Sequence, residues 1–184
     1  MPPEPAVKRC VAFFDAQNLF NSAKNAFGYA WPNFDPHLLS RAIATAQGWE
    51  LVEVRFYTGI PEPSDPRNRF WKNKLAAIGR KGAFVFSRPV RSGREKGVDV
   101  RIALDVVGGA LRNEFDVALV FSQDQDLSEV AREIRFIAQE QGRWIKIASA
   151  YPAGSANSRG INGTDWIRID RPTYDACLDP KDYR

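Results

Sequence analysis

Three stretches of this chain set acidic side chains at positions where they could do chemistry together. In "VAFFDAQN", Asp15 follows the apolar run Val11 to Phe14, and Asn18 stands three positions on. In "VALVFSQDQD", Ser122, Asp124 and Asp126 follow an apolar run, and in "VDVRIALDVV" Asp99 opens a helical pattern. A carboxylate directly after a buried strand is delivered to the edge of a sheet. If the two strands are neighbours, Asp15, Asp99 and Asp124 converge, with Asp126 close by. Two such charges about 4 Å apart repel by roughly 4 kcal/mol at an effective dielectric near 20. A cluster of them therefore raises its own pKa values or takes up a cation. Oxygen-only ligands favour magnesium or manganese over zinc. Asn18 and Ser122 add neutral oxygens able to hold a metal-bound water or orient Asp15.

A plainer reading stands beside this one. Asp124 and Asp126 also suit the N-terminus of a helix, where a carboxylate is worth about 0.3 to 1 kcal/mol against the dipole, and Asp15 and Asn18 suit the cap of the first helix. Asp105 is harder to set aside, because it lies on the stripe Val98, Ile102, Asp105, Gly109 of an otherwise apolar helix. A charge on a core stripe needs a partner, here Lys96 or Arg101, or a role beside the site. Spacing alone leaves both readings open.

Other catalytic classes lack material. The chain has one histidine, His37, and two cysteines, Cys10 and Cys177, far apart and without metal-ligand spacing. They read as two reduced structural thiols, and a His-based zinc site or a Ser-His-Asp triad has almost no material to build from. No Gly-rich phosphate loop follows the first strand, and "DAQN" lacks a second aspartate, which disfavours a nucleotide-binding phosphotransferase. The longest apolar runs are strand-length, short of the roughly 20 residues of a membrane span. "MPPEPAVKR" has no apolar core of a signal peptide, so the expectation is a cytoplasmic protein without a membrane partner.

The elements that must position the acids follow from periodicity. "RCVAFFD", "WELVEVRFYTG", "AFVFSRPV", "FDVALVFS" and "RWIKIASAY" read as strands; "NLFNSAKNAFG", "DPHLLSRAIATAQG", "RFWKNKLAAIGRKG", "VDVRIALDVVGGALRN" and "DQDLSEVAREIRFIAQEQG" read as helices. Asp35 and Pro36 mark a helix start. The fourth of these helices reads as mostly buried. Alternation of strands and helices predicts one α/β domain over residues 1–184, a three-layer α/β/α sandwich with a Rossmann-like, mostly parallel sheet. Ligands of such sheets bind at the carboxyl ends of the strands. "SRGINGTDWIRID" reads as a turn closing over the site or as a plain loop after the fifth strand, and the tail from Arg171 either lies over the domain or frays.

As a set, "VAFFDAQNLF", "EKGVDVRIALDVV" and "FDVALVFSQDQDLSEV", in this order and separation, resemble the three signature blocks of the NYN domain, the LabA-like branch of the PIN-like nucleases. The resemblance covers about residues 8–150, leaving 151–184 as a C-terminal extension. Motif by motif it falls on Asp15 and Asn18, on Lys96, Gly97 and Asp99 with Asp105 further along, and on Ser122, Asp124 and Asp126. It implies a metal-dependent ribonuclease using Mg or Mn, with Asp15, Asp99 and Asp124 as ligands, Asp126 as an extra ligand or base, and Ser122 and Asp105 behind them. The sequence departs from the family pattern at Ala16 and Gln123, both usually glycine, and bulk at 123 is expected to narrow access to the metal.

Charge adds a partner. Residues 67–101 carry eleven Lys or Arg against two acids, a net +9 in a chain of net +4. The block by itself suits either an anionic partner or a solvated helix face; with the resemblance the partner becomes RNA, single-stranded in this reading. The loop "RPVRSGREKG" puts Arg88, Arg91, Arg94 and Lys96 beside Asp99, and Arg69, Lys72 and Lys74 extend the track. Phe70 and Trp71 either stack on a base or pack in the core, the latter favoured for Phe70. The competing reading is an RNA-binding module of the same fold that cleaves slowly or not at all.

Overall fold

The computed structural model describes residues 2–90 and 97–184. Six strands, β1 (Arg9–Asp15), β2 (Glu50–Ile60), β3 (Phe84–Pro89), β4 (Val117–Phe121), β5 (Lys146–Pro152) and β6 (Asp165–Ile169), form one sheet in the order β3-β2-β1-β4-β5-β6. Every pairing is parallel. The order reverses between β1 and β4, as in doubly wound nucleotide-binding sheets.

Helices cover both faces, giving the expected three layers. Cys10, Ala12 and Phe14 point to α1 (Ala16–Phe27), α2 (Pro36–Ala46), α3 (Arg67–Arg80) and α6 (Arg171–Ala176). Val11 and Phe13 point to α4 (Val98–Leu111) and α5 (Ser128–Glu140). The central strands are apolar on both faces because both are covered. Local signals set the helix starts: Asp35 accepts from His37 N and Leu38 N at 2.8 and 3.2 Å ahead of Pro36. At the opposite end of α1, Gly28 closes the helix at φ +81°.

Two elements differ from expectation. The helix read as mostly buried, α4, buries only Val98, Ile102, Val106, Gly109 and Ala110, while Val100 and Leu104 are 62% and 64% exposed. A single layer of helix covers the sheet there, so an all-apolar helix still has an outer face. "SRGINGTDWIRID" contains β6, paired in parallel with β5. Its exposed Asp165 and Trp166 blur the alternation that marks a strand, and its crossover, residues 153–164, has no helix to announce a parallel pair. The tail lies over the domain: Tyr174, Cys177 and Tyr183 are buried, and Tyr183 O accepts from Asn73 Nδ2. Cys10 and Cys177 are free and buried, and burial pushes the Cys10 thiol up to about 12. Among the described residues no helix is long and apolar enough to cross a membrane.

Candidate metal centre

The site is built at the point where the strand order reverses. Phe14 and Phe121 stand opposite each other in the β1–β4 register, their rings stacked with centroids 4.0 Å apart. This contact fixes the ends of the two strands, so Asp15 and Ser122, the next residues, meet at one edge. Ser122 Oγ donates to Asp15 Oδ2 at 3.0 Å and accepts from Asp124 N at 3.1 Å. Asp15 Oδ1 accepts from Asn18 N at 3.1 Å as the cap of α1. Asp124 likewise caps the turn Gln125–Leu127 by accepting from Asp126 N at 3.0 Å. Capping and clustering therefore describe the same side chains. The caps hold the carboxylates in place.

Asp99 enters from the other direction, in the first turn of α4. That helix starts at Gly97, whose φ of +81° is a conformation L side chains rarely adopt. One carboxylate oxygen from each of Asp15, Asp99 and Asp124 lies within 4.8 Å of the others. Asp15 is 3% exposed. Burial, and then the charges of Asp124 and Asp126, hold the Asp99 carboxyl above its usual range. Three hard oxygen donors held together against their mutual repulsion are a donor set suited to Mg²⁺ or Mn²⁺. The residues present fit such an ion.

The other sequence-predicted residues divide. Asp126 is exposed and outside the trio, though close enough to act on Asp99. Asn18 Oδ1 accepts from Gln123 N at 2.9 Å, so this oxygen ties α1 to the turn after β4. Asp105 faces away from the trio: it accepts from Tyr57 Oη at 2.8 Å and pairs with Arg101 at 2.9 Å, the partner its place on a core stripe requires. Gln123 turns aside from the trio. Its amide accepts from Ser22 Oγ at 2.7 Å and donates to Arg159 O at 2.6 Å, so its bulk buttresses a loop instead of narrowing the site.

In the basic track, Arg88 is exposed and its guanidinium lies 3.8 Å from where a Cβ on Gly97 would stand, close to the helix that carries Asp99. Arg69 and Lys72 are exposed on α3. Arg91, Arg94 and Lys96 lie outside the described residues. Lys74 cannot contact an external phosphate: it is fully buried, donates to Phe34 O at 2.6 Å and sits over the rings of Phe34, Phe70 and Tyr183. Burial lowers its pKa to about 8. Trp71 as well as Phe70 is core, each 3% exposed, so neither offers a face to a base. The two findings have one cause, since the helical period of α3 turns positions 70, 71 and 74 to the interior together. Sequence reasoning missed Gln125, which donates to Gly160 O and accepts from Asn162 N, at 3.0 and 3.1 Å, beside the site.

A doubly wound parallel sheet with an acidic trio at its switch point defines a PIN-like α/β/α domain. The chain belongs to the NYN domain family, whose profile matches residues 9–163. It is similar in fold to a crystal structure of a protein of unknown function from Vibrio parahaemolyticus, at 22% identity and a TM-score of 0.59, over 92% of this chain and 97% of that one. No curated protein matches the chain.

Proposed function

We propose that the protein is a divalent-metal-dependent endoribonuclease acting on single-stranded RNA. The observation that carries this reading is the convergence of Asp15, Asp99 and Asp124 within an NYN domain. In it, Asp15, Asp99 and Asp124 hold Mg²⁺ or Mn²⁺, directly or through water. When bound, such an ion polarises a phosphoryl oxygen and makes a water a better nucleophile near neutral pH. Asp15 keeps one orientation because both its oxygens accept hydrogen bonds, from Asn18 N and Ser122 Oγ. Ser122 relays the same geometry to the Asp124 backbone. Asp126, exposed at the rim, accepts a proton from an approaching water. Arg88, with Arg69 and Lys72 further out, neutralises backbone phosphates, and Asp105 serves the fold by anchoring Arg101 and Tyr57.

The test is cleavage of single-stranded RNA and, in parallel, single-stranded DNA, with manganese and with EDTA. Asp124→Asn keeps size but removes a charge. Cleavage should fall by orders of magnitude, while RNA affinity without metal stays level or rises. Asp15→Asn, prepared identically, should be as inactive. Equal cleavage by all three proteins would refute the nuclease reading, and RNA binding without metal-dependent cleavage by the parent would make it a binding module.

A further inference from the structure

A groove of about 370 Å³ lies between α1 and the β5–β6 connection, and its lining includes Asn18, Asn21, Asn25, Gln123, Gln125 and Arg159; it adjoins the trio through Asn18, whose N donates to Asp15, and Gln123, which precedes Asp124. No carboxylate lines it, in contrast to the trio next to it. Its amides fall into two sets. Gln123 and Gln125 are engaged in building the far wall, through Arg159 O, Gly160 O and Asn162 N. Asn157 fastens that wall to α1 by donating to Ser22 O at 2.7 Å, and Gly154 approaches Ala26 so closely that a Cβ would stand 3.1 Å from it. The wall is thus preformed.

The second set faces outward. Asn21 and Asn25 stand at i and i+4 on one face of α1, beyond Asn18, whose Oδ1 is taken by Gln123 N. Among the described residues, no intramolecular partner is seen for the Asn21 amide nitrogen, either end of the Asn25 amide, or the Arg159 guanidinium, while Asn21 Oδ1 accepts from Gln17 at 3.3 Å. A primary amide offers a donor and an acceptor side by side, the pattern that matches a base edge. Arg159 presents a planar cation able to stack on a base or hold a phosphate.

We propose that this groove binds the nucleotide next to the scissile phosphate on the β5 side, that Asn21 and Asn25 select its base, and that Arg159 holds it whatever the base. The inference rests on the nuclease reading for the word "scissile", and on the groove alone for base selection. A rigid wall opposite exposed amides favours one base over the others, because a base that fills the groove covers those amides and leaves them unpaired where its edge does not match.

The experiment has two arms. In the first, metal-free protein is titrated with the four RNA homotetranucleotides while the side-chain amide resonances of Asn21 and Asn25 are followed. One homotetranucleotide should bind at least ten-fold more tightly and shift those resonances, and the advantage should vanish in Asn21→Ala/Asn25→Ala. Alanine keeps the exposed helix intact, and Arg159→Ala provides an independent variant, expected to weaken all four. In the second arm, cut sites on randomised single-stranded RNA with manganese should show a preferred base on one side of the break, which the double variant flattens. Equal affinity for all four, or selectivity unchanged in the double variant, overturns the inference and leaves the nuclease reading standing. Base-selective binding by a parent that does not cleave refutes the nuclease reading and supports the groove.

Discussion

Replacing Asp99 by asparagine tests the metal centre without any assay of activity. Each pair of carboxylate oxygens in the trio is separated by at most 4.8 Å. At an effective dielectric near 20, two full charges at that distance repel by about 3 kcal/mol. The mouth of the site is solvated, so the realised penalty is smaller, about 1–2 kcal/mol for removal of the Asp99 charge. In EDTA, Asp99→Asn should therefore be more stable than the parent. For a chain of this size each kcal/mol moves the melting temperature by about 2–4 °C, so calorimetry should record a rise on the order of 5 °C. Manganese reverses the ranking. At about a hundred times its dissociation constant it stabilises the parent by about 2.7 kcal/mol, and the variant, with one ligand charge fewer, gains little. A variant less stable than the parent in EDTA, or equally stabilised by manganese, would refute the idea that the trio stores repulsion for a cation.

Three further outcomes follow from the packing. Lys74 is held neutral more easily in the folded protein, its pKa lowered to about 8 by burial. Below about pH 8 both states carry the charge; from there to the ordinary lysine range near 10.4 the unfolded chain holds the extra proton, so stability rises with pH, by up to about 3 kcal/mol. Urea unfolding of the parent and Lys74→Met at pH 7 and 10 should show that rise only in the parent, and parallel profiles would contradict it. A Cβ on Gly160 would stand 2.2 Å from Ser149 Oγ and 2.8 Å from Trp166 Cδ1; Gly160→Ala should destabilise by about 1–3 kcal/mol, and a neutral result in chemical denaturation would show that the β5–β6 connection is slack. Arg88→Ala should reduce the slope of log affinity for single-stranded RNA against log salt by about 0.7, whereas an unchanged slope would remove Arg88 from the phosphate track.

The sequence by itself determined the layered α/β fold and the identity of the acids. Both signals are local: apolar runs of strand length, helical periods between them, and Asp15, Asp99 and Asp124 each next to such a run or at its start. The NYN blocks around them are likewise contiguous, so resemblance could place them. Convergence was different, because it depended on β1 and β4 being neighbours, and adjacency in a sheet is set by which strands bury which helices. The same holds for side chains whose surroundings the sequence left open or misplaced. Lys74 and Trp71 look exposed in a basic stretch until the facing of α3 is known, and α4 looks buried until it proves to be an outer layer. Asp105 had two readings, a role beside the site or a pair with Lys96 or Arg101, and only the structure, with Arg101 and Tyr57 around it, decided between them. The amide groove had no sequence signal, since α1 and the β5–β6 connection lie more than a hundred residues apart and only the tertiary structure makes them two walls of one cleft.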